Sequence, residues 1–208
     1  MRYAGVLMTA TQPSPLGRRE RNKQQKLERI TAAAAELFDR HGVDEVTTQQ
    51  VADAADIGTG TLFLYAKSKA ELLLLVQNTH YAEAIEVGVS AATTKASTID
   101  AVMAIVQPIV ECNRRQIDNG RTYLRELVFG DPEEPYHRVG LELIQRVDDA
   151  YVEILRGDER LPPQDAALLA RTISAAMFVS LASPLHLHST DEEVCCDIRE
   201  QVRAILNR

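Results

Sequence analysis

Apolar residues recur at spacings of three and four along most of this chain, which is the pattern of helices that bury one face. The first such segment spans about residues 19–41, where four alanines at 32–35 favour a helix strongly. Gly42 follows it, and glycine is common just beyond a helix C-terminus. The inner face of this predicted helix comprises Leu27, Ile30, Ala34, Leu37, Phe38 and His41.

Two short helices are predicted next. Thr47, with Gln50 three residues later, fits a capping box that opens a helix over about residues 47–55. A turn at 56–58 separates it from a very short helix at about 59–65. Two short helices joined by a tight turn indicate a helix-turn-helix, whose second helix enters the major groove of duplex DNA.

A long helix is predicted to follow from Ser68, which fits a second capping box with Glu71, to about residue 89. Its five consecutive apolar residues at 72–76 cannot all face one side. We therefore expect other helices to cover this one on most of its circumference.

The remaining sequence predicts helices at about 98–118, 121–130, 134–156, 163–186 and 191–207, separated by glycine and proline signals. No segment of this half alternates with period two over a useful length, so we predict an all-α fold. The predicted architecture is an N-terminal three-helix helix-turn-helix DNA-binding domain followed by a larger helical domain. We expect a disordered N-terminal extension at 1–17, the DNA-binding domain at 18–67 and the larger domain at 68–208, with helix 68–90 linking the two.

Charge is distributed unevenly along the chain. The formal net charge is -7, yet residues 18–29 hold six basic and two acidic residues, whereas residues 71–208 hold 13 basic and 22 acidic ones. Local charge decides where a polyanion docks, so the N-terminal end is the candidate surface for DNA. A basic run of this kind is also common at a solvated helix start, and the charge alone leaves both readings open. On the DNA-binding reading, Arg18, Arg19, Arg21 and Lys23 form a flexible basic arm before the first helix.

The chain is predicted to be cytoplasmic and associated with the nucleoid. It has no run of about 18 apolar residues and no apolar signal peptide at its N-terminus. Its three cysteines are odd in number, which disfavours a secreted disulfide scaffold. Either Met1 or Met8 is consistent with the start of the protein.

No catalytic, metal or cofactor site is predicted. The five histidines form no HExxH motif, no CxxC occurs, and no glycine-rich phosphate loop is present. Acidic residues surround Cys195 and Cys196, which disfavours the reactive thiolate. Buried small side chains are the favoured interpretation of this pair, and a redox-sensing pair is the alternative.

Residues 30–75 resemble the DNA-binding domain of the TetR (tetracycline repressor-like) family, in order and without gaps. The matching residues are Ala33, Ala34, Leu37, Phe38, Gly42, Thr47, Val51, Ala52, Ala55, Ile57, Gly60, Thr61, Leu62, Tyr65, Ser68, Lys69, Glu71 and Leu72. The resemblance covers roughly a quarter of the chain, and it implies a bacterial transcription regulator that binds duplex DNA. Together with the chemistry of the side chains it places DNA contacts at Arg18, Arg19, Arg21, Lys23, Thr47, Thr48, Gln49, Thr59, Gly60, Thr61, Leu64, Tyr65 and Lys69.

Four positions depart from the family pattern. Gly58 replaces a common serine, Leu64 a histidine or other polar residue, Ala66 a phenylalanine and Lys67 a proline. In addition, residues 59–65 contain no Arg, Lys, Asn or Gln. The predicted recognition helix therefore cannot make bidentate contacts to guanine or adenine.

The C-terminal helices offer material for a ligand pocket and for a dimer interface. The resemblance implies a small-molecule effector among the central helices, for which the candidate residues are Met103, Gln107, Val110, Tyr123, Leu127, His137, Tyr151, Met177 and Phe178. Two apolar stripes on the last two helices are predicted to pair across a homodimer as a four-helix bundle. They contain Leu169, Ile173 and Ala176 on one helix and Val194, Ile198, Val202 and Ile205 on the other. Packing within one chain is the alternative for these stripes.

The predicted function is a ligand-responsive transcriptional repressor that binds a palindromic operator as a dimer and is released by a small-molecule effector. An architectural DNA-binding protein without effector is one alternative, and it predicts a filled core. A helical enzyme or ligand carrier with an incidental helix-turn-helix is another, and it predicts no affinity for duplex DNA. The repressor and activator roles are not distinguished by the sequence.

Overall fold

A computed structural model describes residues 17–207 of the chain. Within those residues it contains nine α-helices, two short 3-10 helices and no strand. The helices are α1 (Arg18–His41), α2 (Thr48–Ala54), α3 (Thr59–Leu62), α4 (Lys69–Ala92), α5 (Thr98–Arg114), α6 (Ile117–Phe129), α7 (Pro135–Arg156), α8 (Ala166–Ala182) and α9 (Asp191–Leu206), with 3-10 turns at Pro163–Asp165 and Pro184–His186. The predicted all-α fold is confirmed. The extension predicted at 1–17 lies, apart from Gly17, outside the described residues.

Local signals place the early helices well. Thr47 caps α2 through a complete capping box with Gln50. The Ser68 hydroxyl accepts from the Glu71 N–H at 3.1 Å, but the Glu71 carboxylate accepts from the Lys67 N–H at 2.6 Å instead of completing a second box. Gly58 precedes α3 without any side-chain cap, and α3 ends at Leu62 rather than near residue 65.

The predicted boundary between the fifth and sixth helices is wrong. α5 ends at Arg114, and α6 begins at Ile117, where the Gln116 side chain accepts from the Asn119 N–H. Asn119 and Gly120, which separate the predicted helices 98–118 and 121–130, lie inside α6 instead. A Cβ on Gly120 would stand 2.0 Å from the Asn113 carbonyl oxygen, so this glycine allows α5 and α6 to pack closely.

α4 is the central element of the fold. It packs against α1 on one side and against α5, α6 and α7 on the other sides. Leu72, Leu73, Leu74 and Val76 are buried and Leu75 is half-buried, which confirms that this helix is covered on most of its circumference. One continuous core, with α4 running through it, therefore joins the N-terminal helices to the C-terminal helices.

One segment, Pro163–Ala182, is long and apolar enough to cross a membrane by length and composition alone. Core helices of soluble proteins pass the same test, and α8 packs against α7 and α9 within this chain.

Candidate nucleic-acid interface and central cavity

α2 and α3 form a helix-turn-helix held together by short-range contacts. Leu62, the last residue of α3, is fully buried. The Thr59 hydroxyl donates to the Gln49 side chain at 2.6 Å, which links the start of α3 to α2. In the turn between them, Asp56 has a left-handed φ of 52°. The Arg29 guanidinium donates to the Asp56 carbonyl at 3.3 Å, so α1 supports the turn.

The first turns of α1 lie beside α3. A surface groove is lined on one wall by α1 and on the other by residues of α3 and the loop after it. The wall residues are Arg18, Arg19, Glu20, Asn22, Lys23, Lys26, Thr61, Leu64 and Tyr65. Four cations thus flank the outer face of the short helix, an arrangement suited to the phosphates on either side of a DNA groove.

The predicted flexible arm needs correction. Arg18, Arg19, Arg21 and Lys23 are helical residues of α1, because α1 begins at Arg18. Three of them line the groove, together with Lys26, which the sequence analysis did not single out as a contact; Arg21 does not line it. A helix of period 3.6 places residues 19, 23 and 26 on one side, so this spacing was the signal that could have found Lys26.

The outer face of α3 and the loop after it is apolar and hydroxylic. Leu64 is 84% exposed and Phe63 is 44% exposed, a degree of exposure unusual for large apolar side chains. Thr59 and Thr61 are half-exposed, and Gly60 is exposed with open space where a Cβ would stand. This surface offers methyl groups and hydroxyls to a groove, and its backbone can approach a base edge closely.

The remaining predicted contacts lie around the same surface. Thr47 and Gln49 are exposed and Thr48 is half-exposed at the start of α2. The Tyr65 hydroxyl lies 3.5 Å from the Lys23 carbonyl oxygen, and the Lys69 ammonium donates to the Asp44 carbonyl at 3.0 Å. The Lys69 ammonium therefore keeps two N–H donors for a phosphate oxygen, whereas the Tyr65 O–H must leave the Lys23 carbonyl to donate to one.

A carboxyl pair lies where the loop after α3 meets the start of α7. Glu71 is buried. Its Oε1 atom has no hydrogen-bond partner unless the Glu134 carboxyl supplies one. Burial raises the pKa of Glu71, and the neighbouring Glu134 raises it further. The hydrogen bond from the Glu71 carboxyl and the Lys67 ammonium, 2.9 Å away, lower the pKa of Glu134. The two carboxyls therefore share a hydrogen bond in which Glu71 is the partner that holds a proton more readily.

A second junction joins α6 to the end of α1. The Asn119 side chain accepts from the Val43 N–H at 2.7 Å and donates to the Phe38 carbonyl at 2.9 Å, and both bonds are buried. Nearby, Arg115 forms an ion pair with Asp39 at 3.0 Å. Sequence reasoning missed Asn119, because a lone Asn-Gly pair is more typical of a turn than of a buried clamp.

A cavity of about 50 Å³ lies between α4, α5, α6, α7 and α8. Its lining is almost entirely apolar: Tyr81, Ile85, Ile109, Tyr123, Leu124, Leu127, Gly140, Leu143, Ile144, Val147, Ser174, Met177, Phe178 and Leu181. Ligand pockets usually measure about 300–1,000 Å³, so the cavity is nearly closed in this structure.

Four of the nine predicted effector residues line this cavity, namely Tyr123, Leu127, Met177 and Phe178. Met103 and Gln107 instead line a groove between α5 and α9, and Gln107 is exposed. The other three, Val110, His137 and Tyr151, are buried among the helices without reaching the cavity. The helical period identified the apolar face of each helix, but it did not show which of these faces border a cavity once the helices pack.

The predicted dimer stripes also need correction. Leu169, Ile173, Val194, Ile198 and Val202 are buried within the single chain, at no more than 1% exposure, so they have no surface to offer a partner. Ala176 and Ile205 are half-buried. The outward face of α8 is different: Leu168, Thr172, Ala175 and Val179 recur at spacings of three and four and are all exposed.

No metal cluster is evident among the described residues, and the predicted burial of the cysteine pair is wrong, since Cys196 is exposed and Cys195 is half-buried. Across residues 17–207, no three His, Cys, Asp or Glu side chains come together in a metal-binding arrangement. Burial raises the pKa of the Cys195 thiol to about 11 and that of Cys112 to about 12. Both thiols are therefore protonated at neutral pH, which is the unreactive form.

Comparison with known proteins agrees with this geometry. Residues 30–76 match the family model described as bacterial regulatory proteins, tetR family. No curated protein sequence matches the chain significantly.

Solved structures share the fold at low sequence identity. Thermus thermophilus FadR, a TetR-family transcriptional repressor solved with lauroyl-CoA, is 22% identical with a TM-score of 0.66, covering 87% of this chain and 93% of its own. A TetR transcriptional regulator from Rhodococcus sp. is 21% identical with a TM-score of 0.63, covering 89% of this chain and 97% of its own. A TetR-family regulator from Streptomyces coelicolor is 19% identical with a TM-score of 0.63, covering 90% and 91%. Residues 30–76 thus match the tetR family of bacterial regulatory proteins, and the chain as a whole shares the fold of solved TetR-family regulators.

Proposed function

We propose that this protein is a ligand-responsive repressor that binds a palindromic DNA operator as a homodimer and is released by a small-molecule effector. The observation that carries the proposal is the groove in which four cations of α1 flank the exposed outer face of α3. We further propose that it acts in the cytoplasm, where the operator DNA of a bacterium is accessible.

The DNA-binding half of the proposal is tested by salt dependence. Binding sites are first selected from random duplexes, and affinity is then measured by fluorescence anisotropy at several salt concentrations. Lys23→Gln removes a charge that lines the groove, whereas Arg21→Gln removes one from the same turn that does not. Each lost phosphate contact flattens the slope of log affinity against log salt by about 0.9, so the loss of one contact in each half of a dimer flattens it by about 1.8. We expect that change for Lys23→Gln and a smaller one for Arg21→Gln; equal slopes in both variants and the parent chain would exclude the groove.

We propose that the outward face of α8 is the pairing surface. An exposed apolar stripe along a 17-residue helix is unusual for a free surface, and a symmetric dimer would cover it. Two recognition helices must also lie about 34–36 Å apart to enter successive major grooves, which requires two chains. Val179→Glu should dissociate the dimer in sedimentation, while Val87→Glu, on the comparably exposed face of α4, should leave it intact. A dimer that survives Val179→Glu at low concentration excludes this face.

Two routes connect the cavity to the DNA-binding helices. α4 runs from Lys69 beside the DNA-binding surface to the cavity residues Tyr81 and Ile85. α6 lines the cavity through Leu124 and Leu127 and contacts the end of α1 through Asn119. We propose that a ligand which separates the central helices moves both elements and changes the separation of the two recognition helices. Effector affinity should then differ between free protein and the operator complex by the same factor as operator affinity changes with effector.

A second candidate function is an architectural DNA-binding protein without an effector. One observation favours it, namely that the cavity volume of about 50 Å³ is far below that of ordinary ligand sites. It predicts that no small molecule which binds the protein changes its affinity for DNA.

A further inference from the structure

The lining of the central cavity restricts what it can bind. Ten of its fourteen residues carry hydrocarbon or thioether side chains, and no Lys, Arg, His, Asp or Glu is among them. An ionised group placed there would lose its water without gaining a partner, which is very unfavourable.

The few polar atoms of the lining are already bonded to protein groups. The Tyr123 hydroxyl donates to Asn78 at 2.9 Å, and the Ser174 hydroxyl donates to Asp148 at 2.5 Å. The Tyr81 hydroxyl accepts from Asn113 at 2.5 Å, which leaves its own proton available. Burial raises the pKa of both tyrosines, so they stay neutral and can donate but provide no anion. The lining thus carries no charge, and among these three hydroxyls only that of Tyr81 has no protein acceptor for its proton.

We infer that the effector of this site is an uncharged, predominantly hydrocarbon molecule carrying at most one hydroxyl or carbonyl, which accepts a hydrogen bond from Tyr81. That the ligand acts as an effector rests on the proposed function, whereas the chemical class of the ligand follows from the cavity lining alone. A carboxylate or phosphate ester is excluded from the cavity itself. The charged group that contacts the lining, the Asp148 carboxylate bound by Ser174, would repel an anion as well.

Entry lies between α7 and α8. Ile144, Ser174 and Phe178 are only half-buried, whereas the other lining residues are buried. Because the cavity holds about 50 Å³, a ligand must displace side chains to enter, and Phe178 is the largest of the three at the opening. Truncating Phe178 should therefore enlarge the site, and a larger side chain at Ile144 should block it.

The test compares 1-octanol with octanoate and octylammonium, three probes with the same chain and different charge. Binding to the full-length chain is measured by isothermal titration calorimetry and by the rise in melting temperature. We expect octanol to bind at least 10-fold more tightly than either ion. Ile144→Phe should weaken octanol binding at least 10-fold, while Leu141→Phe, a matched change on the same helix outside the lining, should not change it.

Phe178→Ala gives a reading that does not depend on blocking the site. It should bind 1-decanol more tightly than the parent chain does, and a far-ultraviolet spectrum like that of the parent shows that each variant has folded. Octanoate or octylammonium binding as tightly as octanol would overturn the inference. The inference would also be overturned if neither alcohol bound to the parent chain or to Phe178→Ala. An equal loss of octanol affinity in Ile144→Phe and Leu141→Phe would overturn it too.

Operator binding separates this inference from the proposed function. If octanol binds as described but leaves operator affinity unchanged, the ligand class holds and the effector role fails. If the protein binds no operator, the proposed function fails, while the calorimetric comparison of the three probes still decides the ligand class.

Discussion

Leu64 is predicted to read thymine methyl groups in the operator. It is 84% exposed beside α3, on the groove that the cations of α1 flank. Residues 59–65 have no side chain for bidentate hydrogen bonding to a base, whereas apolar contact with the thymine methyl is a recognised means of readout. The perturbation is therefore made on both partners: Leu64→Ala in the protein, and deoxyuridine for thymine in the DNA, which removes only the methyl group.

The magnitude follows from the area that such a contact buries. One buried methyl-sized group contributes about 0.8 kcal/mol, so each contacted thymine methyl should change affinity about 4-fold. A palindromic site has two half-sites, so replacing the thymine in both should cost about 1.6 kcal/mol, or about 15-fold. In Leu64→Ala the same DNA change should have little effect, because the partner of the methyl group has been removed.

The assay is a double-mutant cycle on the selected operator, with affinity measured by anisotropy at fixed salt and each thymine replaced in turn. Leu185→Ala is the matched control, since Leu185 is also 84% exposed but follows α8, outside the groove. Readout of thymine by Leu64 is excluded if no thymine position shows coupling with Leu64, or if Leu185→Ala changes the methyl effect as strongly as Leu64→Ala does.

Three further predictions concern stability. Because the folded state raises the pKa of Glu71, ionising this carboxyl costs stability, and the cost grows as pH rises through its folded pKa. The Glu71→Gln side chain cannot ionise and can donate to Glu134, so this variant should be more stable than the parent chain at pH 7 by about 1 kcal/mol. In urea titrations the advantage should shrink at pH 4. An advantage that is equal at both pH values would contradict the raised pKa of Glu71. Asn119→Ala leaves the buried Val43 N–H unbonded, while the Phe38 carbonyl keeps its bond from the Gly42 N–H, so it should lower the free energy of unfolding by about 1–3 kcal/mol, against little change for the exposed Asp118→Ala. Ile173→Asp buries an unpaired charge inside one chain, so it should unfold the protein, whereas Val179→Glu should leave a folded monomer. Circular dichroism distinguishes these outcomes, and a folded Ile173→Asp chain would contradict the place of Ile173 in the core.

Short-range chemistry in the sequence determined the helices and the helix-turn-helix. The Thr47–Gln50 capping box, the apolar spacing of α1 and the glycine at Gly42 act within a few residues of one another, so a reading of neighbours along the chain is sufficient to find them. The exposed side of α3 and of the loop after it followed in the same way, since burying Leu62 leaves Leu64 on the outside.

Only the tertiary structure decided which apolar faces meet and where they fail to meet. α8 is apolar on nearly all sides, so its sequence shows several stripes of equal quality, and packing against α7 and α9 selected the one containing Ile173 for the core. Gly120 has the local signature of a break, but its actual role is set by Asn113 on the neighbouring helix. The cavity and the Asn119 clamp likewise depend on contacts between residues far apart in the chain, such as Asn119 and Phe38. A periodic pattern reports the angular position of a side chain on its own helix, whereas contacts depend on the position of the neighbouring helix, which no local pattern specifies.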